Sequence, residues 1–445
     1  MMNDRKDKNL DSMEASSPVT RPRESLQGQC QHCHDKSHLT SEPVFESPFK
    51  GMSRILLAFK SVGIFNFTIH DDFTEFECNP HLIFYALFLN LLVLAIPIGL
   101  QVMWIVYLPQ GVTYEVILEK VNQSFSSTDF VAVVGLLALI QLSSLWLQLT
   151  NISACGNLND LVNGVRALGV VDGYDGVIQN PKCTKQTYLF LLIAMIIVSF
   201  TLISSVIPEI LGLSIDRLFD LVFGFAIAIA ICYLHLPQLL SEFLFLRFMT
   251  VLEYHFEHLL GHIDCCMVHK GAFMVKPDRL KQTACCLDHC NGLIKLHRTI
   301  EETFSRQLLI LFGLIMGSLI FSLYLSITFI ISYKSWFHGL FIIGCFVFSL
   351  VPAGRLYFLG SSVNQVIKKV SEVKQRLYMI ESFSTRELDV QGKVRCTIRK
   401  YSEITGFSAD NYFVVNNAMF TSILGYLTTY LIVLVQFKIA ERSHA

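Results

Sequence analysis

A chain of 445 residues that is 52% hydrophobic and only 16% charged is too apolar for an ordinary soluble protein. Its formal net charge of −1 leaves no basic excess to suggest nucleic acid. Its 13 cysteines follow no repeating spacing, which argues against a disulfide scaffold.

Residues 1–48 mix Lys, Arg, Asp, Ser, Pro and Gln with little periodicity and read as a disordered cytoplasmic tail. No apolar run opens the chain, so a cleavable signal peptide is absent and the first helix acts as its own insertion signal. Between residues 49 and 68, Phe49, Met52, Ile55, Leu56, Phe59, Val62 and Phe65 recur at spacings of three and four. That pattern predicts an amphipathic helix, interfacial or pore-flanking; packing against cytosolic helices has the same signature.

Seven apolar spans follow, at about 82–107, 129–150, 187–211, 217–249, 307–332, 336–359 and 411–438. Pro97, Pro208 and Pro352 inside them are tolerated kinks. Lys and Arg counts between spans alternate between high and low. Nine precede the first span, 3 lie in 151–186, 7 in 251–306 and 9 in 360–410, whereas the loops between these regions hold one each, Lys120, Arg217 and Lys334. The positive-inside rule therefore puts the N-terminus in the cytoplasm and, with seven spans, the C-terminus outside. A G-protein-coupled receptor needs the opposite orientation, and its Asp-Arg-Tyr and Asn-Pro-x-x-Tyr motifs are missing. The fold class is thus an all-α polytopic membrane protein. Its seven-helix body covers 69–445, and helical segments 250–306 and 360–410 extend into the cytosol as an anchor region.

Several motifs carry possible chemistry. Cys30-x-x-Cys33-His34 matches a haem attachment pattern but sits in the polar tail without a fold around it. His255, His258, His262, Cys265, Cys266 and His269 share one helical face, and Cys285, Cys286, His289 and Cys290 follow across a turn. A speculative zinc set from two helices is His262, Cys265, Cys285 and His289; a buried helix–helix seam is the more ordinary reading. His255-x-x-His258 lacks the further boxes of a di-iron desaturase, and His255-Phe-Glu-His258 fails metalloprotease spacing. No enzyme, cofactor or firm metal site is expected. Asn122-Gln-Ser124 is a glycosylation sequon in the first external loop. Trp104, Tyr107, Glu209, Asp216, Asp220, Tyr324, Trp336 and His338 supply polar and aromatic groups in the outer halves of the spans, suited to a small organic ligand.

The last span carries Thr429-Tyr430, five apolar residues, then Gln436-Phe437. An amide at membrane depth is costly unless it faces protein or water, so Gln436 marks a functional face or a snorkelling helix end. All nine positions resemble the Thr-Tyr-five-apolar-Gln-Phe signature of the insect gustatory receptor family. The inverted seven-span topology agrees with that family over nearly all of residues 50–440.

The resemblance implies a ligand-gated, non-selective cation channel of four subunits, homomeric or mixed with other gustatory receptors. A tastant would open it, with no G protein required, in the plasma membrane of gustatory neurons. It assigns the pore to the seventh helices, gate positions to Val433 and Phe437, and a polar ring to Gln436. Gly425 is a candidate hinge, and Lys438 a candidate for the outer vestibule. Leu431 replaces the Glu that sweet receptors carry after the motif Tyr, so a bitter-type or orphan receptor is favoured over that clade. Fructose-type, carbon-dioxide-type and odorant-type receptors are alternatives. A transporter is a weaker one, since no internal repeat is evident.

Overall fold

Three helices of 54, 56 and 48 residues dominate the computed structural model. At 1.5 Å per residue each is roughly 70–85 Å long, more than twice the thickness of a bilayer core, so each must project well beyond it. The structure describes residues 53–61, 67–69, 76–106, 127–172, 215–268, 276–331, 336–383 and 388–444.

In chain order these form α1 (Ser53–Ser61), β1 (Phe67–Ile69), β2 (Phe76–Cys78), α2 (Pro80–Val106), α3 (Ser127–Ser153) and α4 (Cys155–Asp172). The long helices α5 (Ile215–Val268), α6 (Lys276–Ile331) and α7 (Trp336–Phe383) follow, then α8 (Leu388–Glu403), β3 (Phe407–Ala409), β4 (Phe413–Val415) and α9 (Asn417–His444). Apart from two antiparallel two-stranded hairpins, β1–β2 and β3–β4, the described chain is helical.

Helix α6 lies at the centre and packs against α3, α4, α5, α7, α8 and α9. Close approach needs small residues: a Cβ on Gly317 of α6 would meet Leu139 Cδ2 of α3 at 2.2 Å. The main core collects Phe245 and Phe248 of α5, Phe304 of α6 and Phe407 of β3. Phe245 stands edge-on to both Phe304 and Phe407, at 5.6 and 5.7 Å between ring centres. The 251–306 segment is a helical hairpin made by the ends of α5 and α6, and α7 runs on to residue 383.

Two expectations are sharpened or corrected. Of the expected amphipathic segment 49–68 the structure describes α1 (Ser53–Ser61), whose Leu56 and Phe59 are buried in the main core, so between the two readings of that pattern it is the packed one. The last span does not begin at residue 411. Residues 407–415 form a hairpin whose turn places Asp410 and Asn411 at φ 50° and 62°, a backbone region that Asp and Asn tolerate. Helix α9 then starts at Asn417, capped by Asn416, whose Oδ1 accepts the Met419 backbone N–H at 3.2 Å. The expected 187–211 span and the 1–48 tail lie outside the described residues, as do Glu209, Tyr107 and Asn122.

Candidate functional site

Helix α9 is apolar yet hardly covered. Among the described residues two stretches are by themselves long and apolar enough to cross a bilayer, within Thr283–Thr328 and Thr421–Ala440; the first is 56% buried and the second only 6%. A single stripe ties α9 to the body. Ile423 and Leu427 pack against the main core, and Leu431 and Leu434 pack against the Tyr324–Leu325 cluster of α6, as Phe321 does. These positions repeat every three or four residues, so they hold one face.

The stripe continues to Lys438, which is only 5% exposed. Lys438 is therefore turned into the protein, and the expected place in an outer vestibule is corrected: it sits two residues from Gln436, about 200° around the helix.

The far face of α9 holds Ser422, Gly425, Thr429, Val433 and Gln436, all exposed. Thr429 returns its hydroxyl to the Gly425 carbonyl at 2.9 Å, so the polar group is satisfied within the helix. A Cβ on Gly425 would meet nothing within 4 Å, which leaves that side open. Val433 stands between Gln436 and Phe437, about 60° from the first and 40° from the second. Val433 is 40% exposed and Phe437 62%.

Of the proposed ligand residues, Tyr324 is fully buried against the Leu431–Leu434 stripe, and so links α6 to α9. Trp104, Asp216, Asp220, Trp336 and His338 fall on helices α2, α5 and α7, but their side chains lie outside the description.

The speculative zinc set does not assemble. Among the described residues no three His, Cys, Asp or Glu groups come together to hold a metal. Cys285 is exposed, and the inward positions belong instead to Cys286 and Cys290; the Cys265 side chain lies outside the description. The hydrogen-bonded neighbour Cys290, followed by burial, holds the Cys286 thiol well above its usual range. His258 and His289 lie 6.3 Å apart across the α5–α6 seam.

A buried polar network escaped sequence reasoning. Arg355 of α7 donates from Nε to Glu242 Oε1 of α5 at 2.8 Å, and its Nη2 reaches the same oxygen. Both side chains are 5% exposed. Gln238 Oε1 lies 3.5 Å from Arg355 Nη1 and accepts from His235 Nδ1 at 2.9 Å, a contact that fixes the proton on Nδ1 because a carbonyl oxygen cannot donate. One turn away Asn151 of α3 meets Ser241 of α5 at 3.4 Å and accepts from Gln307 of α6 at 2.9 Å. The available signal was a Glu and an Arg inside segments otherwise apolar enough to span.

The family profile described as 7tm Chemosensory receptor matches residues 52–441. Among solved structures, that of the insect olfactory receptor OR5 from Machilis hrabei superposes with a TM-score of 0.59 at 13% identity, covering 87% of this chain and 98% of that one. The same receptor in complex with eugenol gives a TM-score of 0.59 at 14% identity, with equal coverage. No curated protein matches the chain in sequence.

Proposed function

The chain belongs to the 7tm chemosensory receptor family, and within it we propose a gustatory-type receptor that is a ligand-gated, non-selective cation channel. One observation carries the proposal: α9 is an apolar helix left almost uncovered by its own chain, with a line of small and polar residues down the open face. Lipid would favour an unbroken apolar face there. Ser422, Gly425, Thr429 and Gln436 suit water or a symmetric neighbour better.

Copies of α9 around an axis, four in this reading, would place Val433 toward the pathway, with Gln436 on one flank and Phe437 on the other. Apolar rings at 433 and 437 close such a path by dewetting, and amide oxygens at 436 replace part of an ion's hydration shell. A ring without charge discriminates poorly among monovalent and divalent cations. The small-molecule tastant binds between the outer halves of the helices, where Trp104, Glu209, Asp220, Trp336 and His338 are the candidate contacts. Tyr324 passes the displacement to α9. The N-terminus is cytoplasmic, Asn122 is glycosylated outside, and the receptor sits in the plasma membrane.

The test is current. Cells expressing the chain and offered bitter alkaloids, fructose and dissolved carbon dioxide should show a ligand-evoked cation conductance whose relative permeabilities change in Gln436→Ala. Uptake of a compound without conductance favours transport instead. A second reading, an odorant-type receptor, draws on the structural likeness to an olfactory receptor; responses confined to volatile organic compounds would select it.

A further inference from the structure

The Glu242–Arg355 pair is the one fully desolvated ion pair among the described residues. It lies next to two prolines inside otherwise continuous helices. Pro237 precedes Glu242 by five residues in α5, and Pro352 precedes Arg355 by three in α7. Each proline removes one backbone donor and loosens its helix at that level. The Pro237 carbonyl is engaged by Ser241 Oγ at 3.0 Å, which joins the proline turn of α5 to the Asn151–Gln307 contact. The segment 237–242 of α5 is therefore bonded to α3 and α7 and, through Asn151, to α6.

An apolar pair of similar volume would brace α5 against α7 at least as firmly, because a buried ion pair gains little over well-packed hydrophobes. The geometry also falls short of a strong brace: Arg355 Nε and Nη2 converge on one oxygen of Glu242 instead of forking onto two. What a charged pair supplies better than an apolar one is an all-or-none contact, since either charge alone at this depth is costly.

We propose that Glu242 and Arg355 form a state-dependent latch that holds α5 to α7 beside their two helix-interior prolines and opens when the outer halves of these helices are repositioned. The latch rests on the channel reading above and adds its regulation. With the pair closed, the inner ends of α3, α5, α6 and α7 move as one body, and α6 keeps Tyr324 against the inner stripe of α9. With it open, the outer parts of α5 and α7 swing about Pro237 and Pro352, and α6 is free to shift α9.

Charge-swap electrophysiology tests this, with currents normalised to surface copies. Glu242→Gln and Arg355→Gln should each raise the ligand-free share of the total current several-fold. The double variant E242R/R355E should return it toward the parent value. A mere brace would change surface copy number and leave that share alone. Singles that conduct like the parent, or a swap no closer to the parent than the singles, would overturn the latch.

Should the Gln variants fail to reach the surface, the milder Arg355→Lys is compared with the parent by hydrogen exchange in detergent. Faster exchange in both 236–243 and 351–358 supports a contact that couples the two proline turns, and unchanged exchange overturns it. This comparison needs no current, so silence of the parent chain under the whole tastant panel counts against the channel reading alone.

Discussion

Gln436 and Lys438 lie two residues apart on α9 and face opposite ways, the amide exposed on the open side and the lysine buried at 5% exposure against the body. Two polar residues at one helix end thus have different work. Replacing Gln436 by Ala removes no side-chain hydrogen bond among the described residues and should alter ion permeability while leaving surface expression near the parent level. Lys438→Ala should instead lower surface expression and melting temperature, since a buried polar side chain carries on the order of 1–3 kcal/mol of interactions. Surface biotinylation beside reversal-potential measurements separates the two. Equal loss of expression in both variants would contradict the assigned faces.

The contact between α3 and α6 depends on Gly317. A side chain there drives into Leu139, and although the clash is with a flexible methyl, 2.2 Å leaves too little room for it to turn aside freely. Gly317→Val should destabilise by about 1–3 kcal/mol, the usual cost of overpacking. Leu139→Ala in the same chain should recover part of that loss, a coupling seen as non-additive melting temperatures. Additive effects would mean that the helices separate instead of clashing.

Hydropathy made the long helices legible, and the nine-residue terminal motif pointed at the open face of α9. Other features depend on angle or distance that the linear chain conceals. Phe413, Val414 and Val415 are as apolar as the helix after them, so the β3–β4 hairpin merged into the seventh span; Gly406 and the Asp410-Asn411 turn were the overlooked punctuation. Cys285 and Cys286 differ by one position, hence about 100° of rotation, and only Cys286 is inward. Glu242 and Arg355 are 113 residues apart, and nothing local pairs them.

The hairpin positions the start of α9, so its own fixtures should matter. A Cβ on Gly406 would lie 2.6 Å from the Val415 carbonyl oxygen, a backbone atom that cannot step aside without breaking the strand register. Ser408 N donates to Glu301 Oε1 of α6 at 2.7 Å and ties the hairpin down. Gly406→Ala should cost more than Asn416→Ala, for which loss of the helix cap predicts about 1 kcal/mol. Thermal melting of the purified chains gives the order, and a larger effect at Asn416 would show that the hairpin shifts to admit the methyl.

His297 of α6 makes the stability depend on acid. Its ring lies 4.3 Å from that of Phe407 and is 2% exposed, and neither ring nitrogen has a hydrogen-bond partner among the described residues. Burial, and then the neighbouring Arg298 charge, lower its pKa from 6.5 to about 4. Below pH 6.5 the unfolded chain therefore takes up a proton that the folded chain refuses. The full stability is present above pH 6.5 and is lost as the pH falls toward 4, by roughly 3 kcal/mol at most for a shift of that size. His297→Phe keeps an aromatic ring against Phe407 and has nothing to titrate. Melting temperatures of the parent and this variant should diverge steadily from pH 7 to pH 5 in the variant's favour. Parallel curves would show that His297 finds a proton acceptor in the folded chain.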